Sequence, residues 1–554
     1  MWRVGLVFGA VAWFVSLAGL VEALHARWVV DSWLSAGQVL LLAILLASGW
    51  VAGRHSRGTL SVRVGAGLAA GAVAGFCVGL LVWLRSQVDL RGMFVNASPV
   101  LFQLLSGGHP PPVAWPGAVV AGGLLGLVGS AASCAPSAVV RPPLVGAAAA
   151  VGLALFQDLV MLILQPEGLA SIRDWLFVAG GGPTAQGVVV LSVASAFLAA
   201  ARPALRARVR RPRALSTRVT RVIWSLVGLA LLAALPLAGG PFVAQVLVIV
   251  GLYTLMGLGL NLEVGLAGLL DLGFVAFFAI GAYTVGLLTS VGEHGIAHWS
   301  FWAAVPVAVA VSLIAGVILG IPVLGIRGDY LAIATLGFGE IVRLLVLSDA
   351  LRPWLGGSQG ILAIPKPVLA GFELSGPQHL YYLTVLASAV VAYVAWRLQD
   401  SRLGRAWMAI REDEDVAEAL GINLVSVKLL AYGLGAAFAG VGGAIFAVMV
   451  GSVFPHSFQL LISIQVLALI IVGGMGSIPG VIVGSVVLIG LPELLREFGE
   501  FRFLVYGIAL VAMMLLRPEG LLPAAAQRRE LRALEEEPLG VARAPAEALT
   551  EGGS

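Results

Sequence analysis

The chain has 554 residues, of which 59% are hydrophobic and only 11% are charged. Ordinary soluble domains carry about 25% charged residues, and a soluble protein of this size must keep its surface wet. The composition therefore excludes a soluble globular protein and favours a membrane protein. The formal net charge of +4 fits either nucleic acid or an anionic membrane, so the positions of the cations decide between these partners.

Long apolar runs recur along the chain. A transmembrane helix needs roughly 20 mainly apolar residues, and these runs are continuous rather than alternating, so nothing in them indicates a β-barrel. We predict an all-α, polytopic transmembrane helical bundle of about sixteen spans, in which 461–474 is short enough to be re-entrant. The predicted spans are 4–24, 33–53, 64–84, 116–137, 143–164, 186–202, 220–238, 242–261, 265–289, 302–325, 330–348, 380–398, 428–450, 461–474, 478–495 and 502–517.

The cations are distributed unevenly between the loops. Eight arginines lie between Arg202 and Arg221, whereas 290–301 and 451–460 contain no Lys or Arg. This asymmetry follows the positive-inside rule, so the arginine run indicates topology and contact with anionic lipid rather than nucleic acid. We therefore expect both termini, 54–63, 202–221 and 397–428 in the cytoplasm. The loops 85–115, 165–185, 290–301, 349–379 and 451–460 are expected outside.

Four regions follow from these patterns. Residues 1–201 form an N-terminal membrane region of about six spans, and the basic, Pro-containing stretch 202–219 reads as a cytoplasmic linker. Residues 220–524 form a second membrane region of about ten spans. The charged, Ala/Pro/Gly-rich tail 525–554 is expected to be cytoplasmic and largely disordered.

The chain has no candidate for an ATPase site or for a catalytic site. Its only lysines, Lys366 and Lys428, stand outside any glycine-rich Gly-Lys-Ser/Thr sequence, which a phosphate-binding P-loop requires. If ATP drives this protein, the ATPase belongs to another chain. Ser358 in a Gly-x-Ser-x-Gly sequence fits a flexible glycine turn better than a nucleophile. His294 and His298 fit a polar loop better than a metal site, so we predict neither catalytic nor metal-ligating residues.

The segment 399–427 is the most unusual polar stretch. After Gly404 its residues favour a helix that Gly421 would end, and Leu403, Trp407, Ile410, Ala417 and Leu420 fall near one face. Such an amphipathic helix either lies on lipid or docks into a partner. Because four consecutive acids at 412–415 are unfavourable beside anionic lipid, we expect docking on a partner.

Ionisable residues inside spans are candidates for function. Asp271 lies in a glycine-rich run from Gly265 to Gly281, where small residues let helices approach closely or break beside a cavity. Glu340 can pair with Arg343 at i+3, so a structural ion pair and a transport role both stay open for these two residues.

At this point the residues resemble a known family. Residues 251–523 are similar to LivM, the permease of branched-chain amino-acid ABC importers, over about half the chain and in the family's order. The segments that carry the resemblance are GLGLNLEVGLAGLLD (257–271), FAIGAY (278–283), IRGDYLAI (326–333), TLGFGEIVR (335–343), GGSQGI (356–361), IPKP (364–367), GRAW (404–407), IREDE (410–414), LGIN (420–423) before Lys428, GGMGS (473–477) and RPEGLLP (517–523).

The resemblance implies a LivM/LivH-like ABC importer permease fold in the C-terminal half, in a bacterial-type plasma (inner) membrane. It implies a second, LivH-like permease subunit, two cytoplasmic LivG/LivF-like ATPases that hold ATP and Mg²⁺, and an extracytoplasmic substrate-binding protein. No cofactor is expected on this chain itself. The N-terminal six spans exceed the family's usual extension, so their role stays open.

The resemblance also gives two sets of candidate residues. The expected ATPase-coupling loop comprises Gly404, Arg405, Ala406, Trp407, Ile410, Arg411, Glu412, Asp413, Glu414, Leu420 and Gly421. The expected pathway and packing residues are Asn261, Gly265, Asp271, Gly281, Glu340, Arg343, Gly473, Gly474 and Gly476.

Three other functions stay open from the sequence. Permeases of urea and short-chain amide importers look similar, and the sequence does not choose between these substrates and branched-chain amino acids. An ion-coupled secondary transporter would use Asp271 and Glu340 as coupling acids. A membrane enzyme usually has clustered acids in a loop, and here only 412–415 qualifies.

Overall fold

The structure is a computed structural model. It describes residues 2–523 apart from 32, 57, 95, 165–169, 179–180, 209–216, 327, 495–506, 508–509, 512, 514, 516 and 518. The predicted tail 525–554 lies outside the described residues, as does most of the predicted span 502–517. The chain divides into two compact units, residues 1–227 and 228–554. This division falls inside the predicted span 220–238.

The helical membrane bundle predicted from the sequence is confirmed. Among the described residues, ten helices are long and apolar enough to cross a membrane, and four shorter apolar helices accompany them. Four predicted spans differ in their boundaries. The first, 4–24, is broken at Gly19 (φ 87°). The spans 220–238 and 242–261 join into one helix that is interrupted at Gly240 (φ 71°), and 265–289 becomes helical only at Val275.

The first unit is a bundle whose central helices meet through small residues. A side chain at Gly71 would lie 2.8 Å from the Cα atom of Gly126, so glycine is required for this close approach. A short antiparallel hairpin pairs Trp28 with Ser35. The elements of this unit are α1 (Trp2–Leu17), α2 (Leu20–His25), β1 (Trp28–Val30), β2 (Leu34–Ser35), α3 (Ala36–His55), α4 (Leu60–Gln87), α5 (Pro99–Ser106), α6 (Pro111–Cys134), α7 (Ser137–Leu155), α8 (Gln157–Ile163), α9 (Ala170–Leu176) and α10 (Ala185–Arg208).

The second unit holds the segments that resemble the permease family. Two stretches, Asn261–Leu266 and Val486–Gly490, are π-helical. The elements that follow α10 in the chain are α11 (Thr217–Leu260), whose first residues still belong to the first unit, α12 (Val275–Thr289), α13 (Phe301–Val323), α14 (Asp329–Leu347), α15 (Arg352–Leu355), β3 (Val368–Leu369), β4 (Phe372–Glu373), α16 (Pro377–Gln399), α17 (Arg402–Glu412), α18 (Glu414–Ala419), α19 (Leu424–Val450), α20 (Leu460–Gly473), α21 (Ile478–Ser485) and α22 (Leu491–Leu494).

Helix α19 forms the centre of the second unit. It packs against both α12 and α13, and most of its residues are buried. Glycines permit these contacts. A side chain at Gly281 would lie 2.5 Å from the carbonyl oxygen of Gly440, and one at Gly316 would lie 2.5 Å from that of Tyr432. The two neighbours of α19 therefore approach its backbone where their own side chains are absent.

Candidate functional site

The transmembrane path of α11 is interrupted between residues 261 and 274. The helix widens into a π-helical turn at Asn261–Leu266, and the chain then takes a left-handed conformation at Gly268 (φ 73°). Helix α12 starts after Asp271, whose Oδ1 accepts a 2.7 Å hydrogen bond from the backbone N–H of Gly273. Broken helices and π-turns inside membranes are tolerated where the backbone is buried in protein or lines a cavity, and they often mark functional sites.

The interrupted segment contacts the glycine turn 473–476. The side-chain oxygen of Asn261 accepts a 2.8 Å hydrogen bond from the backbone N–H of Gly476. A side chain at Gly265 would lie 2.7 Å from that same nitrogen. Three of the predicted pathway residues are therefore in contact, although Gly476 lies more than 200 positions from the other two in the chain.

The glycine turn is held by residues 521 and 522, near the end of the second membrane region. The backbone N–H groups of Leu521 and Leu522 donate to the carbonyls of Val472 and Gly473 at 2.8 and 2.9 Å. Gly474 has φ 119°, a conformation that L side chains rarely adopt. A side chain there would also lie 2.7 Å from the carbonyl oxygen of Leu522. The backbone of this turn is therefore held by Asn261 on one side and by Leu521 and Leu522 on the other.

Two acids are completely buried beside the interruption. Glu263 and Asp271 each have no exposed surface, and both carboxyl oxygens of Glu263 and the Oδ2 atom of Asp271 have no hydrogen-bond partner among the described residues. Glu263 also lies against the backbone of Gly435 in α19, and the buried hydroxyl of Tyr432 has no hydrogen-bond partner among the described residues. Asp271 was expected here. Glu263 was missed, although an acid inside an apolar run is the same signal that selected Asp271.

Glu340 and Arg343 form the ion pair that their spacing allows. The Nε atom of Arg343 donates to both carboxylate oxygens of Glu340 at 3.0 Å. Their side chains keep 43% and 29% of their surface exposed, so the pair lies on the surface of its unit. Among the described residues, neither side chain forms a hydrogen bond with Asn261 or Asp271.

The expected coupling loop forms two short helices rather than one. The chain is extended at Asp413 (φ −159°), whose side chain accepts hydrogen bonds from the backbone N–H groups of Asp415 and Val416 and so begins α18. Aspartate is a favoured N-cap residue. Because Asp413 starts a new helix, the single helix expected from Gly404 to Gly421 is interrupted there.

The apolar face of these two helices is covered by the protein itself. Trp407, Ile410 and Ala417 are at most 2% exposed, and the indole N–H of Trp407 donates to the carbonyl oxygen of Val427 at 2.8 Å. Leu420, which was expected on the same face, is 76% exposed instead. The apolar side chains that stay exposed on these helices are Val416 and Leu420.

Arg411 connects the surface helices to the interrupted span. Its guanidinium Nη1 donates a 2.6 Å hydrogen bond to the carbonyl oxygen of Gly265, and its Cγ atom lies 3.0 Å from the position that a Cβ atom at Gly268 would take. Gln399, at the end of α16, donates to the carbonyl oxygen of Gly476 at 3.2 Å. A displacement of α17 would therefore act directly on the broken segment 261–268, whereas the glycine turn 473–476 is contacted by the end of the neighbouring helix α16.

A buried ion pair fixes the second surface helix. The Nζ atom of Lys428 lies 2.7 Å from Oε1 of Glu414, and the lysine side chain is only 4% exposed. An unpaired charge at such a depth is costly. This pair therefore ties α18 to the start of the central helix α19.

The loop before α16 contacts the other end of α19. The ammonium group of Lys366 donates to the carbonyl oxygens of Val448 and Met449 at 2.6 and 2.9 Å, which complements the negative end of the helix dipole. Burial lowers the pKa of Lys366 from its usual value, and the charge of Glu373 acts in the opposite direction. Ser358 lies in a single 3-10 turn of this loop, without the strand that a nucleophile elbow needs.

His294 and His298, which were considered as possible metal ligands, lie in the loop between α12 and α13. The Nδ1 atom of His298 lies 2.6 Å from the carbonyl oxygen of Ser290, within a loop rather than a helix. Across the part of the chain that the structure describes, no three His, Cys, Asp or Glu side chains are grouped closely enough to hold a metal ion.

The number of helices of span length defines a polytopic membrane protein, and comparison with known proteins gives its family. Residues 242–516 match the family described as the permease component of branched-chain amino acid transport systems. The chain is 44% identical over 295 residues to the LivM permease protein of Salmonella typhimurium, covering 49% of this chain and 68% of that protein. The chain belongs to this family of permeases.

Other relatives differ in extent. The LivM protein of Methanocaldococcus jannaschii is 22% identical over 325 residues, which cover 51% of this chain and 93% of that relative. The LivH permease protein of Escherichia coli is 34% identical over 125 residues, covering 22% of this chain and 40% of that protein. No solved structure matches.

Proposed function

We propose that the chain is a transmembrane permease subunit of an ATP-binding-cassette importer and moves branched-chain amino acids inward across the plasma membrane. The family membership supports the transport role, and the names of the relatives concern branched-chain amino acids throughout. Urea, short-chain amides and ion-coupled transport have no comparable support. The chain carries no P-loop sequence, so ATP and Mg²⁺ belong on partner ATPases.

The hydrogen bond from Arg411 to the carbonyl oxygen of Gly265 is the observation that supports the coupling mechanism most strongly. In the proposed mechanism, closure of two cytoplasmic ATPases pushes on α17 and α18. Arg411 and Gln399 transmit this motion to the broken segments at 261–268 and 473–476. The movement of these segments changes the side of the membrane to which the substrate pathway is open. A binding protein outside presents the substrate, so the permease needs only a weak site and releases its substrate readily.

The partners follow from this division of labour. A second, LivH-like permease subunit completes the pore, and the similarity of this chain to LivH over 125 residues supports a related partner. In this proposal the ATPases contact the surface helices on the cytoplasmic side of a bacterial-type inner membrane. The uneven distribution of arginines between the loops supports a cytoplasmic position for both termini. The exposed side chains Val416 and Leu420 give the ATPase an apolar contact.

The proposed docking surface can be tested without disturbing the core. Deleting 404–421 would remove the buried side chains of Trp407 and Ile410 from the protein interior, so a deletion tests stability as well as coupling. The double variant Val416→Asp with Leu420→Asp changes only exposed positions. We expect it to insert normally, to lose co-purification with the ATPase subunits and to lose ATP-driven uptake.

The matched control is Val368→Asp with Leu369→Asp. These residues form β3, and they are 52% and 55% exposed, but they lie in the loop before α16 rather than on the surface helices. We expect this control to keep the ATPases bound. If the Val416/Leu420 variant also retained its ATPases and its uptake, the docking surface proposed for α18 would be wrong.

A further inference from the structure

The first unit contains a polar cavity that the transport mechanism does not use. Its volume is about 840 Å³, within the range of about 300–1,000 Å³ that is usual for small-molecule sites. It lies where the end of α4 and the start of α3 meet helix α5 and the loop that leads into α6. Because these are the ends of predicted spans, the cavity is at the level of a membrane interface.

The cavity presents hydrogen-bond donors and a cation but no acid. Arg85 lines it with its guanidinium 4.4 Å from the ring of Phe102, and the amide side chains of Gln38 and Gln103 lie nearby in the same wall. Among the described lining residues there is no Asp or Glu. Arg85 also has no ion-pair partner in the part of the chain that the structure describes. Stacking on an aromatic ring orients the planar guanidinium for a bidentate anion.

Other groups around the cavity leave its donors available. The amide oxygen of Gln38 accepts from the backbone N–H of Ser35 at 3.0 Å, so its NH₂ group is the part that stays free to donate. The Nδ1 atom of His25 is buried and has no hydrogen-bond partner among the described atoms. Two acids on neighbouring segments, Glu22 and Asp89, bond to Ser98 and to the backbone of Arg91, and neither lines the cavity.

We propose that this cavity is a phosphate-binding site and that its ligand is the phosphate group of an anionic lipid. The absence of acids from the described lining excludes an ammonium group as the recognised part of the ligand, whereas the Arg85 guanidinium and the two amides match phosphate oxygens. The apolar side chains of Val82, Val100 and Leu104 share the wall with these donors, which suits a headgroup that carries acyl chains. The site would give the N-terminal unit a lipid-binding role independent of transport.

The test uses the full chain and two probes. Native mass spectrometry would measure retention of phosphatidylglycerol against phosphatidylcholine, and thermal unfolding would be followed with and without inorganic phosphate. We expect selective retention of phosphatidylglycerol. Arg85→Gln should reduce it roughly tenfold, because a charge-assisted hydrogen bond contributes about that factor. The matched control Arg91→Gln changes an exposed arginine outside the cavity and should retain lipid like the wild type.

A second variant distinguishes loss of the ligand from loss of the fold. Gln103→Glu keeps the size of the side chain and places a carboxylate in the cavity with Arg85, so it should lose the lipid while the protein stays folded. If inorganic phosphate stabilises the wild type but not Arg85→Gln and no lipid is retained, the site is confirmed with free phosphate as its ligand. Equal losses in Arg85→Gln and Arg91→Gln, or no dependence of either probe on Arg85, would overturn the proposal.

Discussion

Arg411 is the residue whose position most directly connects the surface helices α17 and α18 to the transmembrane path. Its hydrogen bond to Gly265 is 2.6 Å long, and the acceptor belongs to a π-helical turn that has irregular backbone bonding. We predict that Arg411→Ala lowers ATP-driven uptake about tenfold, because a charge-assisted hydrogen bond of this kind contributes about 1.5–3 kcal/mol. ATP hydrolysis by the partner subunits should continue, so the two rates would become uncoupled.

The control for this prediction is Arg402→Ala. Arg402 is exposed on the same helix, and its loss should leave the ratio of uptake to ATP hydrolysis near that of the wild type. Uptake and hydrolysis would be measured in the same proteoliposomes. An Arg411→Ala protein with an unchanged ratio would contradict a coupling role for this contact.

The pair of Glu414 and Lys428 gives a second prediction at the residue scale. We expect Glu414→Gln to lower the free energy of unfolding by about 3 kcal/mol, because it leaves a buried lysine without its carboxylate. Glu418→Gln, an exposed change on the same helix, should have little effect. Adding Lys428→Met to Glu414→Gln should recover most of the loss. Thermal unfolding of the four proteins in one detergent checks this, and equal midpoints for Glu414→Gln and Glu418→Gln would refute it.

Individual residues could be predicted from the sequence only where their chemistry is unusual for their surroundings. Asp271 was found because an acid in an apolar run is costly. Glu263 carries the same signal and was missed, and its contact with Gly435 depends on a helix 172 positions away. Leu420 was misplaced because a helical wheel assumes one continuous helix, whereas the cap at Asp413 starts a new one.

At the scale of elements, close packing of glycines determines how α12 meets α19. A side chain at Gly281 would lie 2.5 Å from the carbonyl oxygen of Gly440, so even alanine forces the helices apart. We predict that Gly281→Ala destabilises the protein by about 1–3 kcal/mol through overpacking. The measurement is the free energy of unfolding in detergent.

Gly337 is the matched control within α14. It is also a helical glycine, but a side chain there would meet no atom within 4 Å. Gly337→Ala should therefore be neutral, or stabilising by about 0.5–1 kcal/mol through the better helix propensity of alanine. If Gly281→Ala were as stable as Gly337→Ala, the close contact between α12 and α19 would not be present in the folded protein.

The type of each element was easier to predict than its boundaries. Apolar runs of span length gave helices because a bilayer admits few alternatives. The run 265–289, however, contains Gly265, Gly268 and Gly273, and the structure uses them for a break rather than for packing alone. A glycine-rich composition fits both a break in a helix and close packing of two helices. Which of the two occurs depends on the backbone segment that lies against each glycine in the folded protein.

At the scale of the whole molecule, the family match and the two-unit division agree. Residues 242–516 lie within the second unit, and the Methanocaldococcus jannaschii relative is covered to 93% by about half of this chain. We predict that a chain beginning at Thr217, which keeps α11 whole, inserts into membranes and supports ATP-driven uptake with its partners. A truncated protein that binds the ATPases but transports nothing would show that the N-terminal unit takes part in transport.

The central claim is that this chain forms part of an ATP-driven importer of branched-chain amino acids, and uptake in proteoliposomes tests it most directly. The full assembly of permeases, ATPases and binding protein would be reconstituted with ATP inside and no ion gradient, and radiolabelled leucine and urea would be offered in parallel. We expect leucine to accumulate only when hydrolysable ATP is present, with no uptake of urea. Leucine uptake that needed a proton or sodium gradient and ignored ATP would contradict the account.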